Sequence, residues 1–191
     1  CAQVKKDHKG GSQTDEYGKI RAQLVNEGRT VSMIAADGNC FFRTLSTCLY
    51  GNDLNYASLR KTVIEFVQKH QESFEAMIEN ESVLSYIQKM SKDGFWATTT
   101  EIFAISTILQ TDVYVLSPYR NHRYEWLMFQ PLFQHESLSE DLKCNHVCKY
   151  LTLCHTNQNH FDFIKPINTT CNCGLPRPQL EGTKPNSPTD L

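Results

Sequence analysis

The sequence predicts an α+β domain. Segments with the 3.6-residue period of helices fill the first half of the chain, and four short runs rich in β-branched and aromatic residues fill the second. The two kinds of segment do not alternate strictly, which argues against a doubly wound α/β sheet.

Tyr17, Ile20 and Leu24 mark the apolar stripe of a first helix that stops at Gly28, a residue suited to a helix C-terminus. A second stripe follows Asn39, through Phe42, Leu45, Cys48 and Leu49, and Gly51 closes it. Residues 56–69 repeat the pattern with Leu59, Val63, Phe66 and Val67, and residues 82–90 read as another short helix. Thr98 followed by Glu101 is the arrangement of a capping box, placed ahead of the apolar run IFAISTILQ. The strand-like runs are DVYVLS, RYEWLMF, YLTLC and HFDFI, and residues 130–149 read as a long surface loop. Residues 1–14 are polar and flexible in this reading, as is the glycine- and proline-bearing tail 171–191, leaving 15–170 as one folded domain.

Composition narrows the function. The chain has 191 residues, 40% hydrophobic and 21% charged, enough for a substantial core. A formal net charge of −2 gives no reason to expect nucleic acid or an anionic membrane as partner. No apolar run reaches the roughly 18 residues that span a bilayer, and residues 1–16 lack the apolar core of a signal peptide. The eight cysteines therefore read as free thiols in an intracellular protein, most simply a cytoplasmic monomer. The first residue is Cys1 rather than methionine, which reads as a piece of something longer.

The stretch D-G-N-C-F-F-R, Asp37 to Arg43, carries the chemistry. A cysteine thiol titrates at about 8.5 in peptides, so little of it is thiolate at neutral pH, and a helix N-terminus favours the charged form. Cys40 stands where the second helix begins. Gly38 permits a sharp turn that leaves backbone amides bare, the raw material of an oxyanion site. Far along the chain, His160 and Asp162 are two residues apart in a strand-like run, so they share a face while Phe161 points the other way. One imidazole nitrogen can then accept support from Asp162 while the other meets Cys40, the logic of nucleophile, base and orienting carboxylate. Chain order alone does not bring them together.

D-G-N-C-F-F-R, then W-A-T-T-T-E (Trp96 to Glu101), then H-F-D resembles the ovarian tumour (OTU) family of cysteine proteases, over roughly residues 30–165. The resemblance implies a papain-like cysteine protease fold, with a small, mostly antiparallel central sheet flanked by helices. It implies a deubiquitinase that hydrolyses the isopeptide bond after the C-terminal glycine of ubiquitin, or of a ubiquitin-like modifier, with ubiquitin or polyubiquitin as partner and no cofactor. By the same resemblance Cys40 is the nucleophile, His160 the base and then acid, and Asp162 the residue orienting His160. Asp37 would join the catalytic group by shaping the turn, and backbone around Asp37, Gly38, Asn39 and Cys40 would hold the oxyanion. Asn39 also reads as a plain turn former. Trp96 reads as core and Glu101 as a helix cap; Ala97 departs from the glycine usual in the family. Phe161 has two readings, a wall of the narrow substrate channel or a core residue.

Cys144, His146, Cys148, Cys154 and His155, with Cys171 and Cys173, invite a zinc reading. Cys144 and Cys148 have suitable spacing, but Cys154 and His155 are adjacent and make a poor second pair, so no metal is expected. His70, His122 and His135 read as surface residues. Two other functions stay open: a catalytically weak ubiquitin-binding module, and a protease that processes a larger polyprotein. A zinc-dependent adaptor is the remaining reading from another class.

Overall fold

A computed structural model describes residues 11–118, 123–134, 150–156, 159–169 and 171–181. The elements run α1 (Gly11–Asn26), β1 (Arg29–Ser32), α2 (Cys40–Tyr50), α3 (Tyr56–Lys69), α4 (Gln71–Phe74), α5 (Val83–Met90), α6 (Thr99–Leu109), β2 (Asp112–Pro118), β3 (Tyr124–Phe129), β4 (Tyr150–Thr156) and β5 (His160–Pro166). The strands form one sheet in the order β1-β5-β4-β2-β3. Only the β2–β4 pair is parallel; β1–β5, β4–β5 and β2–β3 are antiparallel. The α+β class with a mostly antiparallel sheet is the one expected from the sequence. Among the described residues, no helix is long and apolar enough to cross a membrane.

Alternation along the strands builds two cores. Val113 and Val115, Leu151 and Leu153, and Phe161 meet α2, α3 and α6 on one face, through Phe42, Leu45, Leu59, Val63, Ile105 and Ile108. Tyr114, Leu116, Tyr150, Cys154 and Ile164 point the other way and bury Tyr17, Ile20 and Leu24 of α1. A fully buried side chain of this size contributes about 1.5–3 kcal/mol, so both faces are needed to hold the strands in place. The capping box at α6 forms as expected: the Thr98 hydroxyl accepts from Thr100 N–H, and Glu101 accepts from Thr98 N–H at 2.8 Å.

Four differences from the sequence reading have local causes. β1 was not expected, because four residues, R-T-V-S, carry no legible period; it pairs with β5 through Val31 opposite Ile164. Helix α1 starts at Gly11, inside the segment read as flexible. Part of the tail packs against the sheet. Asn172 is buried and donates to Thr152 Oγ1 at 3.0 Å, while the Pro176 carbonyl accepts from the Tyr150 hydroxyl at 2.9 Å and from the buried Arg29 guanidinium. His70 is half-buried and lies between the Phe66 and Phe133 rings. Residues 1–10 and 182–191, His122, His135, Cys144, His146 and Cys148 lie outside the described residues.

Candidate active site

The N-terminus of α2 abuts the first residues of β5, and this brings Cys40 to His160 across 120 positions of sequence. Cys40 is 2% exposed and opens the helix, so its own N–H has no intrahelical acceptor. Its Sγ accepts from Phe161 N–H at 3.4 Å and lies 3.8 Å from the Asn159 carbonyl. His160 turns Nε2 to Asp162 Oδ1 at 3.0 Å, and the Cys40 thiol is near enough to help raise its imidazole. The three side chains named from the sequence therefore lie close together, with His160 and Asp162 hydrogen-bonded.

The electrostatics follow from those contacts. The Asp162 bond first, and the Cys40 thiol second, raise the His160 imidazole to about 10, against the opposing pull of burial. Burial alone would raise the Asp162 carboxyl, but bonds from His160, the Tyr17 hydroxyl and Ile34 N–H outweigh it and hold the group below the ordinary carboxylate range. Ile34 N–H donates to Oδ1 at 2.8 Å, Tyr17 donates to Oδ2, and Thr156 Oγ1 lies 3.4 Å from Oδ2. Asp162 is fully buried, so this ring of donors is what keeps it charged.

The turn before Cys40 is built by its own side chains. Asp37 Oδ1 accepts from Asn39 N–H at 3.0 Å, and Oδ2 takes Arg43 Nε and Nη2 at 2.9 and 2.7 Å. Arg43 also reaches Asp53 at 2.9 Å and lies over the Tyr56 ring. Burial opposes ionisation of Asp37, but the Arg43 and Asn39 bonds prevail and lower it. Asn39 is buried; its carbonyl accepts from Arg43 N–H, and its side-chain oxygen accepts from Arg60 at 2.8 Å and Gly94 N–H at 3.2 Å. It is a turn former. Asp37 touches the turn and Arg43, and none of its hydrogen bonds is to Cys40 or His160.

Gly38 sits at φ +76°, and a Cβ there would fall 1.9 Å from the Gly94 carbonyl oxygen. Both the backbone angle and the contact forbid a side chain. Gly38→Ala is expected to cost about 3 kcal/mol or more, seen as a lowered urea midpoint with an unchanged slope. A wild-type midpoint would mean that the 91–97 loop swings aside freely.

One assignment made from the sequence is corrected, and another is decided between its two readings. Trp96 is not core: it is 55% exposed, because the backbone of its loop packs against Gly38 and leaves the indole outside. Of the two readings of Phe161, burial favours the core one over the channel wall: it is edge-on to Phe41 at 5.3 Å and stacked on His155 at 4.9 Å. Glu101 is fully buried within its cap and receives the Tyr86 hydroxyl, and burial raises its carboxyl. Cys154 is buried in β4, where burial pushes its thiol well up. No group of three or more His, Cys, Asp or Glu placed to hold a metal ion occurs among the described residues.

Sequence reasoning missed Tyr17 and Arg60 as parts of the site. Each had a signal. A buried tyrosine needs a partner for its hydroxyl, and Arg60 shares the helical face of Val63, Ile64 and Val67, where a cation is out of place.

Residues 35–161 match the family model described as OTU-like cysteine protease. Among curated proteins, the chain is 30% identical over 123 residues to OVARIAN TUMOR DOMAIN-containing deubiquitinating enzyme 7 of Arabidopsis thaliana, covering 64% of this chain and 32% of that one. It is 25% identical over 161 residues to OTU domain-containing protein 4 of Homo sapiens, covering 84% of this chain and 13% of the relative. The chain thus spans a third or less of the length of these relatives. Among solved structures, the OTUD1 OTU domain superposes with a TM-score of 0.64 at 21% identity, covering 80% of this chain and 99% of that one. The Hazara virus OTU bound to ubiquitin gives 0.57 at 21% identity, covering 76% and 86%. At these identities the structural likeness speaks to fold.

Proposed function

The chain belongs to the OTU-like cysteine protease family, and from that premise we propose that it is a thiol isopeptidase releasing ubiquitin, or a ubiquitin-like modifier, from lysine side chains. The observation that carries this reading is the hydrogen-bonded His160–Asp162 pair brought up to Cys40, which opens a helix beside a strained turn. Names of relatives point the same way: the plant relative is called a deubiquitinating enzyme, and the Hazara virus domain was solved bound to ubiquitin.

In this mechanism the Cys40 sulfur attacks the carbonyl carbon of the modifier's last residue, and His160 holds the thiol proton. Charge that develops on the carbonyl oxygen meets backbone amides at the start of α2, among them the Cys40 N–H. The Asn39 amide is already engaged by Asp37, so its part is to shape the turn. The tetrahedral intermediate collapses, His160 gives its proton to the departing lysine amine, and a thioester remains on Cys40. Water then enters, with His160 as base, and releases the modifier. Asp162 keeps the imidazole turned toward the thiol throughout. Phe95 and Trp96, exposed on the loop that touches Gly38, offer apolar surface beside the nucleophile. The working unit in this reading is a monomer running from α1 through the packed segment 171–181, acting inside the cell and without a cofactor.

The test is incubation with ubiquitin carrying a C-terminal electrophile, followed by intact mass and peptide mapping. One ubiquitin added to Cys40 is the expected result. No adduct from folded, reduced protein would overturn ubiquitin as the modifier and bring forward the binding-module and polyprotein-processing readings.

A further inference from the structure

Beneath the turn that presents Cys40 lies a buried cation that, among the described residues, no carboxylate meets within ion-pair distance. Arg60, on α3, is 4% exposed. Its Nη1 donates to the Met90 carbonyl at 3.1 Å. Its Nη2 reaches the Gly38 carbonyl at 3.1 Å, Asn39 Oδ1 at 2.8 Å and the Phe95 carbonyl at 2.8 Å. The guanidinium carbon stands 4.3 Å from the centre of the Phe42 ring. Among the described residues, no carboxylate is within ion-pair distance of it.

Stability is a poor explanation for this arrangement. Burying a charge with no ion-pair partner is costly in desolvation, and burial duly lowers the Arg60 guanidinium below its ordinary value. An apolar residue at this position would satisfy the face shared with Val63, Ile64 and Val67 without that cost. What an apolar residue cannot do is gather three oxygens from two separate loops. One is the carbonyl of Gly38, whose φ of +76° marks the glycine conformation on which the turn depends. Another is the side chain of Asn39, immediately before the nucleophile. The third, from Phe95, belongs to the loop that packs on Gly38. Asp37, Asp93 and Glu101 lie within the field of the cation, Arg43 neutralises Asp37, and His160 and Asp162 face the thiol from β5.

We propose that Arg60 is a positioning residue for the nucleophile: it holds the Gly38 carbonyl and the Asn39 side chain inside the domain, so fixing the turn that presents Cys40. The turnover part of the test rests on the isopeptidase reading; the alkylation part does not, so failure of one is distinguishable from failure of the other.

The experiment compares wild type with Arg60→Lys, which keeps a long donor but loses the fork, and Arg60→Gln, whose shorter amide reaches fewer of the three oxygens. Alkylation of Cys40 by iodoacetamide at pH 7 is followed on its own peptide by mass spectrometry. Steady-state kinetics use a fluorogenic amide of ubiquitin, and thermal midpoints confirm folding. Alkylation is expected to slow about threefold in Arg60→Lys and about tenfold in Arg60→Gln. The fall in kcat is expected to be on the order of tenfold and thirtyfold, with KM within about twofold of wild type. Folded variants that alkylate and turn over at the wild-type rate would overturn the proposal, as would a change confined to KM. Should Arg60→Gln not fold, Arg60→Lys decides alone: wild-type alkylation and kcat overturn the proposal, and loss of both supports it.

Discussion

Replacing Cys40 by alanine is expected to abolish turnover of a fluorogenic ubiquitin amide while leaving the domain folded. The thiol makes few contacts that the fold needs. It accepts one backbone N–H at 3.4 Å and lies 3.8 Å from a carbonyl. Sulfur is a weak hydrogen-bonding atom, so those contacts are replaced at small cost. Removing a buried sulfur leaves a void smaller than a methionine or leucine truncation would. A loss of roughly 1 kcal/mol, or about 2–4 °C in thermal midpoint for a chain of this size, is expected by calorimetry. The chemistry has no such margin. Without Sγ there is no atom to form the thioester, and the oxyanion site alone cannot divide the reaction into two easier steps. Hydrolysis that survived in the folded variant would remove Cys40 from the mechanism altogether.

The proposed nucleophile was legible because its signal is local. Asp37, Gly38 and Cys40 lie within four residues, and a positive-φ glycine ahead of a helix is written in the order of the letters. The same holds for the Thr98–Glu101 cap and for α2 and α3, whose apolar stripes run over three turns or more. What was not legible depends on partners distant in sequence. Tyr17 appears as one more member of an apolar stripe until Asp162, 145 residues later, takes its hydroxyl. Trp96 carries the residue type of a core position, yet its place is decided by the Gly38–Gly94 backbone contact, which a sequence pattern does not encode. The segment 171–181 has the composition of a linker, but its carbonyls are claimed by Arg29 and Tyr150, and backbone acceptors have no compositional signature. Phe161 shows the reverse. The two-residue period had already turned it away from His160, and the buried ring follows that simpler rule rather than the family expectation.

Asp162→Ala should act mainly through pH. In the wild type the Asp162 bond is the largest cause lifting the His160 imidazole to about 10. The protonated ring is the form that can supply the leaving amine, so turnover should hold through pH 8–9 and fall only as pH rises through about 10. Removing the carboxylate withdraws that support, and the alkaline limb should move down toward the ordinary histidine value of about 6.5. The deficit is therefore smallest near pH 6 and grows with alkalinity, to about 100-fold in kcat at pH 8. Stability follows the same signs. A histidine raised above its unfolded value stabilises fully below about 6.5 and loses that contribution as pH climbs through 10. A carboxylate held below its unfolded value stabilises above about 4 and loses that contribution on acidification. The stability gap between wild type and variant should then be widest between those limits. It should include the cost of leaving the Tyr17 hydroxyl and the Ile34 N–H without their buried acceptor. A pH–rate profile for Asp162→Ala that overlays the wild type would show that another group orients the imidazole. Asn159, whose carbonyl already lies beside Sγ, is the described residue to test next.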